Sequence, residues 1–129
     1  MPLVLELAPH EKVLVNGALF QNGSRRSEFA ILSESARILR GDKILDAEEV
    51  TTPLRKLQYA LQRAYAGTAD EQDRGSFEFG KHSDEARSQG DADLIALLDA
   101  IDHCMTHGEF YDAITMLHEF RLADERQRP

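Results

Sequence analysis

The chain reads as an α+β protein: a small N-terminal antiparallel β-sheet of short hairpins, followed by an α-helical C-terminal part that ends in a helical hairpin. Three observations predict this. Apolar residues recur at every second position early in the chain, their period changes to 3.6 after Asp46, and Asn-Gly dipeptides punctuate the first part where N-caps and Gly stops punctuate the second. The division expected is a β-rich region over 1–50 and a helical region over 51–129, with helices near 53–66, 76–88, 92–107 and 109–122.

Leu3, Leu5 and Leu7 alternate with Val4 and Glu6, and after Pro9 the segment Lys12 to Val15 resumes the strand pattern. Asn16-Gly17 follows at once. Both residues accept the positive φ of a two-residue type I′ turn, so Val13 to Val15 and Ala18 to Phe20 should pair as a hairpin. Asn22-Gly23 promises a second reversal before a strand over Glu28 to Leu32, and Gly41-Asp42 a third hairpin between Ala36 to Leu39 and Lys43 to Leu45. Four to six strands in one meander-like sheet are expected.

Thr52 is a suitable N-cap and Pro53 suits the first helical position, where its missing N–H is no loss. Leu54, Leu57, Leu61, Ala64 and Tyr65 then form one apolar stripe that Gly67 ends. Residues 68–90 are polar, with Phe77 and Phe79 the large apolar exceptions; a structureless connection this long is unusual in a compact domain, which favours a helix from about Phe77 to Arg87. Asp91 caps a third helix whose face is Leu94, Leu97, Leu98, Ile101 and Met105, ended by Gly108. Phe110, Ala113, Ile114, Leu117 and Phe120 form a matching stripe, so the last two helices should pack as an antiparallel hairpin. Residues 124–129 should be frayed.

The composition, 42% apolar and 29% charged over 129 residues, is that of a globular chain without a membrane span, and no secretory signal is visible at its start. A cytoplasmic location is expected. A single cysteine, Cys104, provides neither an internal disulfide nor a CxxC metal anchor. No phosphate loop, GxSxG elbow or HExxH motif supports an enzyme, and no cofactor is implied. His103 and His107 have a metal-compatible spacing, but they lie on an outer helix face and read as solvated.

Charge is uneven. Residues 1–66 hold 9 Lys/Arg against 8 Asp/Glu, whereas residues 67–129 hold 6 against 15, so a polyanion would meet the first part and be repelled by the second. Lys56, Tyr59 and Arg63 fall opposite the apolar stripe of the first helix and should form an outward ridge, with Arg55 beside it. Arg25 and Arg26 follow the second Asn-Gly, while Arg37, Arg40 and Lys43 surround the third turn. Guanidinium and ammonium groups bind phosphate, and a tyrosine face stacks an unpaired base, so these nine residues are the candidate RNA-binding set. Basic residues on a helix face also serve solubility and i,i+4 pairing, the alternative use of the same side chains.

Asn16-Gly17-Ala18-Leu19-Phe20-Gln21-Asn22-Gly23-Ser24-Arg25-Arg26, the block Ala36 to Leu45 and the block Val50 to Arg55 resemble, in order and spacing, the signature of the FlbT family, flagellin regulators of flagellated bacteria. Tyr111-x-Ala113-Ile114-x-Met116-Leu117 and Glu119 to Arg126 are similar to that family's ending, whereas residues 75–90 are more polar than its pattern. The resemblance implies a non-enzymatic post-transcriptional regulator that binds the 5′ untranslated leader of flagellin mRNA, represses translation and promotes decay of the message. The rival expectation is an adaptor or chaperone that binds flagellin or another flagellar regulatory protein through the helical hairpin. An apolar edge left over from so small a sheet would also suit a homodimer.

Overall fold

The computed structural model describes residues 3–128. Strands β1 (Leu3–Leu7), β2 (Lys12–Val15), β3 (Ala18–Gln21), β4 (Ser27–Ile31) and β5 (Ile38–Arg40) precede helices α1 (Pro53–Ala66), α2 (Ala69–Ser88), α3 (Ala92–Thr106) and α4 (Phe110–Gln127). The α+β class is as the sequence indicates. Its strands, however, form two sheets instead of one meander: β1 pairs with β4, and β2 lies between β3 and β5, all antiparallel.

The β2–β3 hairpin follows its dipeptide directly, with φ of 48° at Asn16 and 90° at Gly17 as a type I′ turn requires. The second Asn-Gly works differently. Asn22 ties the turn together through its side chain, which donates to the carbonyls of Leu7, Ala8 and Arg25 and accepts from the Ser27 hydroxyl. The chain therefore leaves β3 and crosses to β1. The third hairpin does not form. Arg40 and Val13 are partners, as are Leu39 and Leu14, because Asn16 captures both backbone groups of Arg37: its N–H donates to the Arg37 carbonyl and its side-chain oxygen accepts from the Arg37 N–H. Gly41, at φ 67°, then opens a tight 3₁₀ turn over Gly41–Lys43, and Ile44 and Leu45 turn into the core.

Alternation along β2 decides what each face covers. Leu14 and Leu39 face the helices and share a core with Leu57, Leu61, Leu98, Ile101, Ile114 and Leu117. Val13 and Val15, with Ile38 of β5, face the other way onto Leu5, Leu7, Phe29 and Ile31 of the β1–β4 ribbon. Three layers result, ribbon, sheet and helices, with the central sheet buried on both sides along β2 and β5.

Helix α1 begins as its sequence signals, with the Thr52 hydroxyl accepting from the Arg55 N–H and Pro53 at the first position. Helix α2 is longer than the polar sequence suggested: it starts at Ala69, under a capping box in which Thr68 and Glu71 satisfy each other's backbone N–H groups. Its buried face is Gly75, Phe79, Ser83 and Ala86, one aromatic and three small residues at helical spacing, while Phe77 is 74% exposed. Helices α3 and α4 form the expected hairpin, stopped by Gly108 at φ 75°. Helix α4 runs to Gln127 instead of ending near residue 122 with a frayed tail from Asp124, since Glu125 is held by Arg55 and Arg121 and Asp124 by Arg128.

Gly75 marks the closest approach of α1 and α2. A Cβ there would lie 2.6 Å from the Ala64 nitrogen and 2.7 Å from the Ala60 oxygen, both backbone atoms of α1, whereas one on Gly80 of the same helix would meet nothing. Gly75→Ala should therefore destabilise the fold by about 1–3 kcal/mol despite alanine's better helix propensity. Gly80→Ala should stabilise it by about 0.5–1 kcal/mol, and urea unfolding of the two variants measures both signs.

Candidate functional site

The segment between β5 and α1 carries the candidate Lys43, and it is pinned by side chains because it has no ladder of its own. A buried backbone N–H or C=O needs a partner. Gln62 of α1 supplies both for Leu45: its Oε1 accepts from the Leu45 N–H at 2.8 Å, and its Nε2 donates to the Leu45 carbonyl at 3.0 Å. One turn earlier, Gln58 donates to the Lys43 carbonyl at 3.2 Å and accepts from the Arg121 guanidinium at 2.8 Å. Arg121 continues to Glu125, which also receives Arg55, so α1, α4 and the segment share one buried polar network.

His118 completes it. Its Nδ1 stands 3.2 Å from Gln58 Nε2 and 3.3 Å from Arg121 Nη2, and both neighbours are donors, so Nδ1 must carry the lone pair and the proton must sit on Nε2, facing Asp42. Burial holds the His118 pKa below its ordinary 6.5, opposed by Asp42 and assisted by the Arg121 and Lys43 charges.

With the segment in place, its Lys43 and, from just before β5, Arg37 rest on aromatic rings at the start of α4. The Arg37 guanidinium lies 6.0 Å from the Phe110 ring centre, and the Lys43 ammonium lies 5.5 Å from that of Tyr111. Phe110 stacks in turn on Tyr65 of α1, with ring centres 6.4 Å apart, while Tyr111 is 46% exposed. Arg37, Lys43 and Tyr111 thus form one basic-aromatic patch, flanked by Glu109 and Asp112 at the first turn of α4.

The remaining candidates divide. Arg40 donates to both Glu11 oxygens, at 2.9 and 3.1 Å, and to the Glu6 carbonyl, fastening β5 to the β1 side; its guanidinium holds the Glu11 carboxyl below the usual range. Arg55 binds Glu125 and the Glu49 carbonyl. The expected ridge of Lys56, Tyr59 and Arg63 does not face solvent as a unit. Helix α2 packs along it, so Arg63 is drawn onto Glu78 at 3.1 Å and Glu71 at 3.7 Å and lies 5.8 Å from the Tyr59 ring centre, leaving Lys56 as its exposed member. Arg25 and Arg26 are exposed at the far end of β2 from Arg37, about 15 Å away by strand length.

Two other readings find their places. His103 and His107 are exposed, with His107 Nδ1 2.8 Å from the His103 carbonyl oxygen, and among the described residues no group of three or more His, Cys, Asp or Glu is placed to hold a metal. Cys104 is buried within α3, and burial pushes its thiol pKa up, which disfavours the reactive thiolate. Among the described residues no helix is long and apolar enough to cross a membrane.

Sequence reasoning missed Gln58, Gln62, His118 and Arg121, and it took Phe110 only as core. A signal existed: Gln58 and Gln62 are four apart and directly follow Leu57 and Leu61, so they border the apolar stripe where a solvated residue is not expected.

The family model for "Flagellar protein FlbT" matches residues 3–126. The chain belongs to the FlbT family. FlbT relatives include the "Probable flagellum biosynthesis repressor protein FlbT" of Caulobacter sp. (strain K31), 40% identical over 70 residues, which are 54% of this chain and 53% of that protein. The "Flagellum biosynthesis repressor protein FlbT" of Caulobacter vibrioides (strain ATCC 19089 / CIP 103742 / CB 15) is 42% identical over 65 residues, 50% of this chain and 45% of that one. The chain spans about half the length of these curated relatives in the matched stretch. Against the "Probable flagellum biosynthesis repressor protein FlbT 1" of Bradyrhizobium diazoefficiens the match is 26% over 128 residues, 99% of this chain and 86% of the other. No solved structure matches.

The His118 geometry makes stability pH-dependent in a defined direction. With a folded-state pKa below 6.5, the unfolded chain binds the extra proton first, so this contribution is complete above about pH 6.5 and is lost as pH falls through the folded value. Glu11, Glu71 and Glu125, whose pKa values are held below 4.5, add their own loss only in more acid solution. Urea unfolding across about pH 5 to 7 should show a decline toward acid that His118→Leu abolishes, whatever that variant does to absolute stability.

Proposed function

We propose that this FlbT-family chain is a non-enzymatic regulator of flagellar synthesis that acts on message: it binds the 5′ untranslated leader of flagellin mRNA, hinders translation and promotes decay of the transcript. The observation that carries the reading is the state of Arg37 and Lys43. Their charges rest on the faces of Phe110 and Tyr111 and, among the described residues, on no carboxylate, so they remain available to phosphate oxygens, and Tyr111 keeps an open ring beside them for an unpaired base. Arg40, Arg55 and Arg63 serve the fold through Glu11, Glu125 and Glu78 and contribute little to such a contact. The acidic excess of residues 67–129 limits indiscriminate binding, because it repels a polyanion from most of the helical surface.

The names of the relatives support the regulatory half of this reading, and the patch supports the RNA half. A second reading is favoured by a groove of about 320 Å³ between the starts of α1 and α3 and the ends of α2 and α4, where Leu54, Leu57, Leu94 and Phe120 form an apolar floor beside Lys56 and Glu85. An amphipathic helix of flagellin or of another flagellar regulatory protein would fit such a floor, making the effect on mRNA indirect.

Titrating leader RNA with the purified chain separates the two. Under the RNA reading, binding occurs with RNA alone and weakens with salt, and Arg37→Ala with Lys43→Ala reduces the log–log salt slope by about 1.4, at roughly 0.7 per lost phosphate contact. Tyr111→Ala should weaken binding without changing that slope. Binding that appears only once flagellin is added, and that is lost in Leu54→Asp but kept in the Arg37/Lys43 variant, would transfer the assignment to the groove.

A further inference from the structure

Strand β3 stands apart from the rest of the β structure. Ala18, Leu19, Phe20 and Gln21 are all exposed, with Leu19 at 51% and Phe20 at 55%, although their partners Leu14 and Val13 are buried. The reason is positional. The β1–β4 ribbon covers the face bearing Val13, Val15 and Ile38 but stops short of Phe20, and the helices that cover Leu14 and Leu39 leave Leu19 half open. The outer edge is open too. The bonds from Asn22 N–H to the Glu11 carbonyl and from Asn16 N–H to the Arg37 carbonyl fix the phase of the ladders, so the N–H and C=O groups of Leu19 and Gln21 point away from β2, and among the described residues neither has a further backbone partner.

Exposed edges are commonly blunted by a charged side chain or a proline, and β3 carries neither. The other open strands do: β1 and β4 place Glu6 opposite Glu28. We propose that β3 pairs antiparallel with β3 of a second copy of this chain across a two-fold axis, joining two three-stranded sheets into one of six strands ordered β5-β2-β3-β3-β2-β5. Strand phase dictates the register. Leu19 of each copy exchanges hydrogen bonds with Gln21 of the other, and Phe20 faces Phe20 at the axis as a close, non-hydrogen-bonded aromatic pair.

Charge and area both suit a second copy. Two molecules of net charge −8 repel, but the acidic excess lies in residues 67–129, while the part containing β3 is near neutral and the strand itself is uncharged. The strand is four residues long, too short to bury the roughly 800 Å² per partner of a standard stable interface, so the dimer is weak.

Sedimentation equilibrium and residue-resolved hydrogen exchange on the unmodified chain test this without any substitution. The expected result is a concentration-dependent monomer–dimer equilibrium in which the Leu19 and Gln21 amides gain protection as dimer forms. Oxidised Phe20→Cys should give a disulfide-linked dimer, while Phe77→Cys, on exposed α2, should not, and Phe20→Lys should be monomeric at concentrations where the parent associates. A chain that stays monomeric to about 1 mM overturns the proposal. So does a dimer whose Leu19 and Gln21 amides exchange freely or whose Phe20→Cys form does not cross-link, since association then uses another surface. Protection of those amides already complete in the monomer would place a segment of the chain's own on the edge and overturn it equally.

Discussion

A buried backbone without a ladder must be satisfied by side chains, and that requirement governs the segment from Lys43 to Leu45. The segment lies between the central sheet and the helices and has lost the hairpin partner that would otherwise take its hydrogen bonds. Gln58 and Gln62 replace that partner, and among the described residues no buried side-chain nitrogen or oxygen lacks a partner. Much else depends on them. The amides set the height of Ile44 and Leu45 in the core, orient His118 and Arg121 on α4, and through Arg121 and Glu125 tie the end of the chain back to Arg55 at the start of α1.

Ion pairing determines how a charged chain distributes its arginines. Three of those near the sheet and α1 close contacts between elements far apart in sequence: Arg40 with Glu11, Arg63 with Glu78 and Arg55 with Glu125. Each is held by its carboxylate, and its charge is largely neutralised toward an outside anion. Arg37 and Lys43 escape this because both settle on rings at the start of α4, which attract a cation without neutralising it. Structural use and ligand use of basic residues are thereby separated by what faces them.

Helix α2 shows how a polar sequence becomes a packed element. Its small residues allow close contact with α1, so dispersion over a short distance substitutes for large apolar side chains. That approach also converts the outer face of α1 into an interface and removes Arg63 and part of Tyr59 from solvent.

Local chemistry was legible in the sequence. The Asn16-Gly17 turn, the Thr52-Pro53 start of α1, the Asp91 cap, the Gly108 stop and the apolar stripes of α1, α3 and α4 all stand where the residues place them, because each depends on φ preference, one cap or a helical period, quantities that neighbours in sequence determine. The Thr68 and Glu71 capping box was equally local and equally readable, though the polar stretch after it obscured the start of α2. What only the tertiary structure decided is which strands pair and which charges are answered. Leu39 could have turned back on Leu45 or reached Leu14, and the choice fell to Asn16, whose side chain takes the N–H of Arg37 twenty-one residues further on, together with the two glutamines that make the unpaired alternative tolerable. Whether a guanidinium meets a carboxylate or a ring is likewise a property of elements brought together from distant parts of the chain, and no spacing in the sequence encodes it.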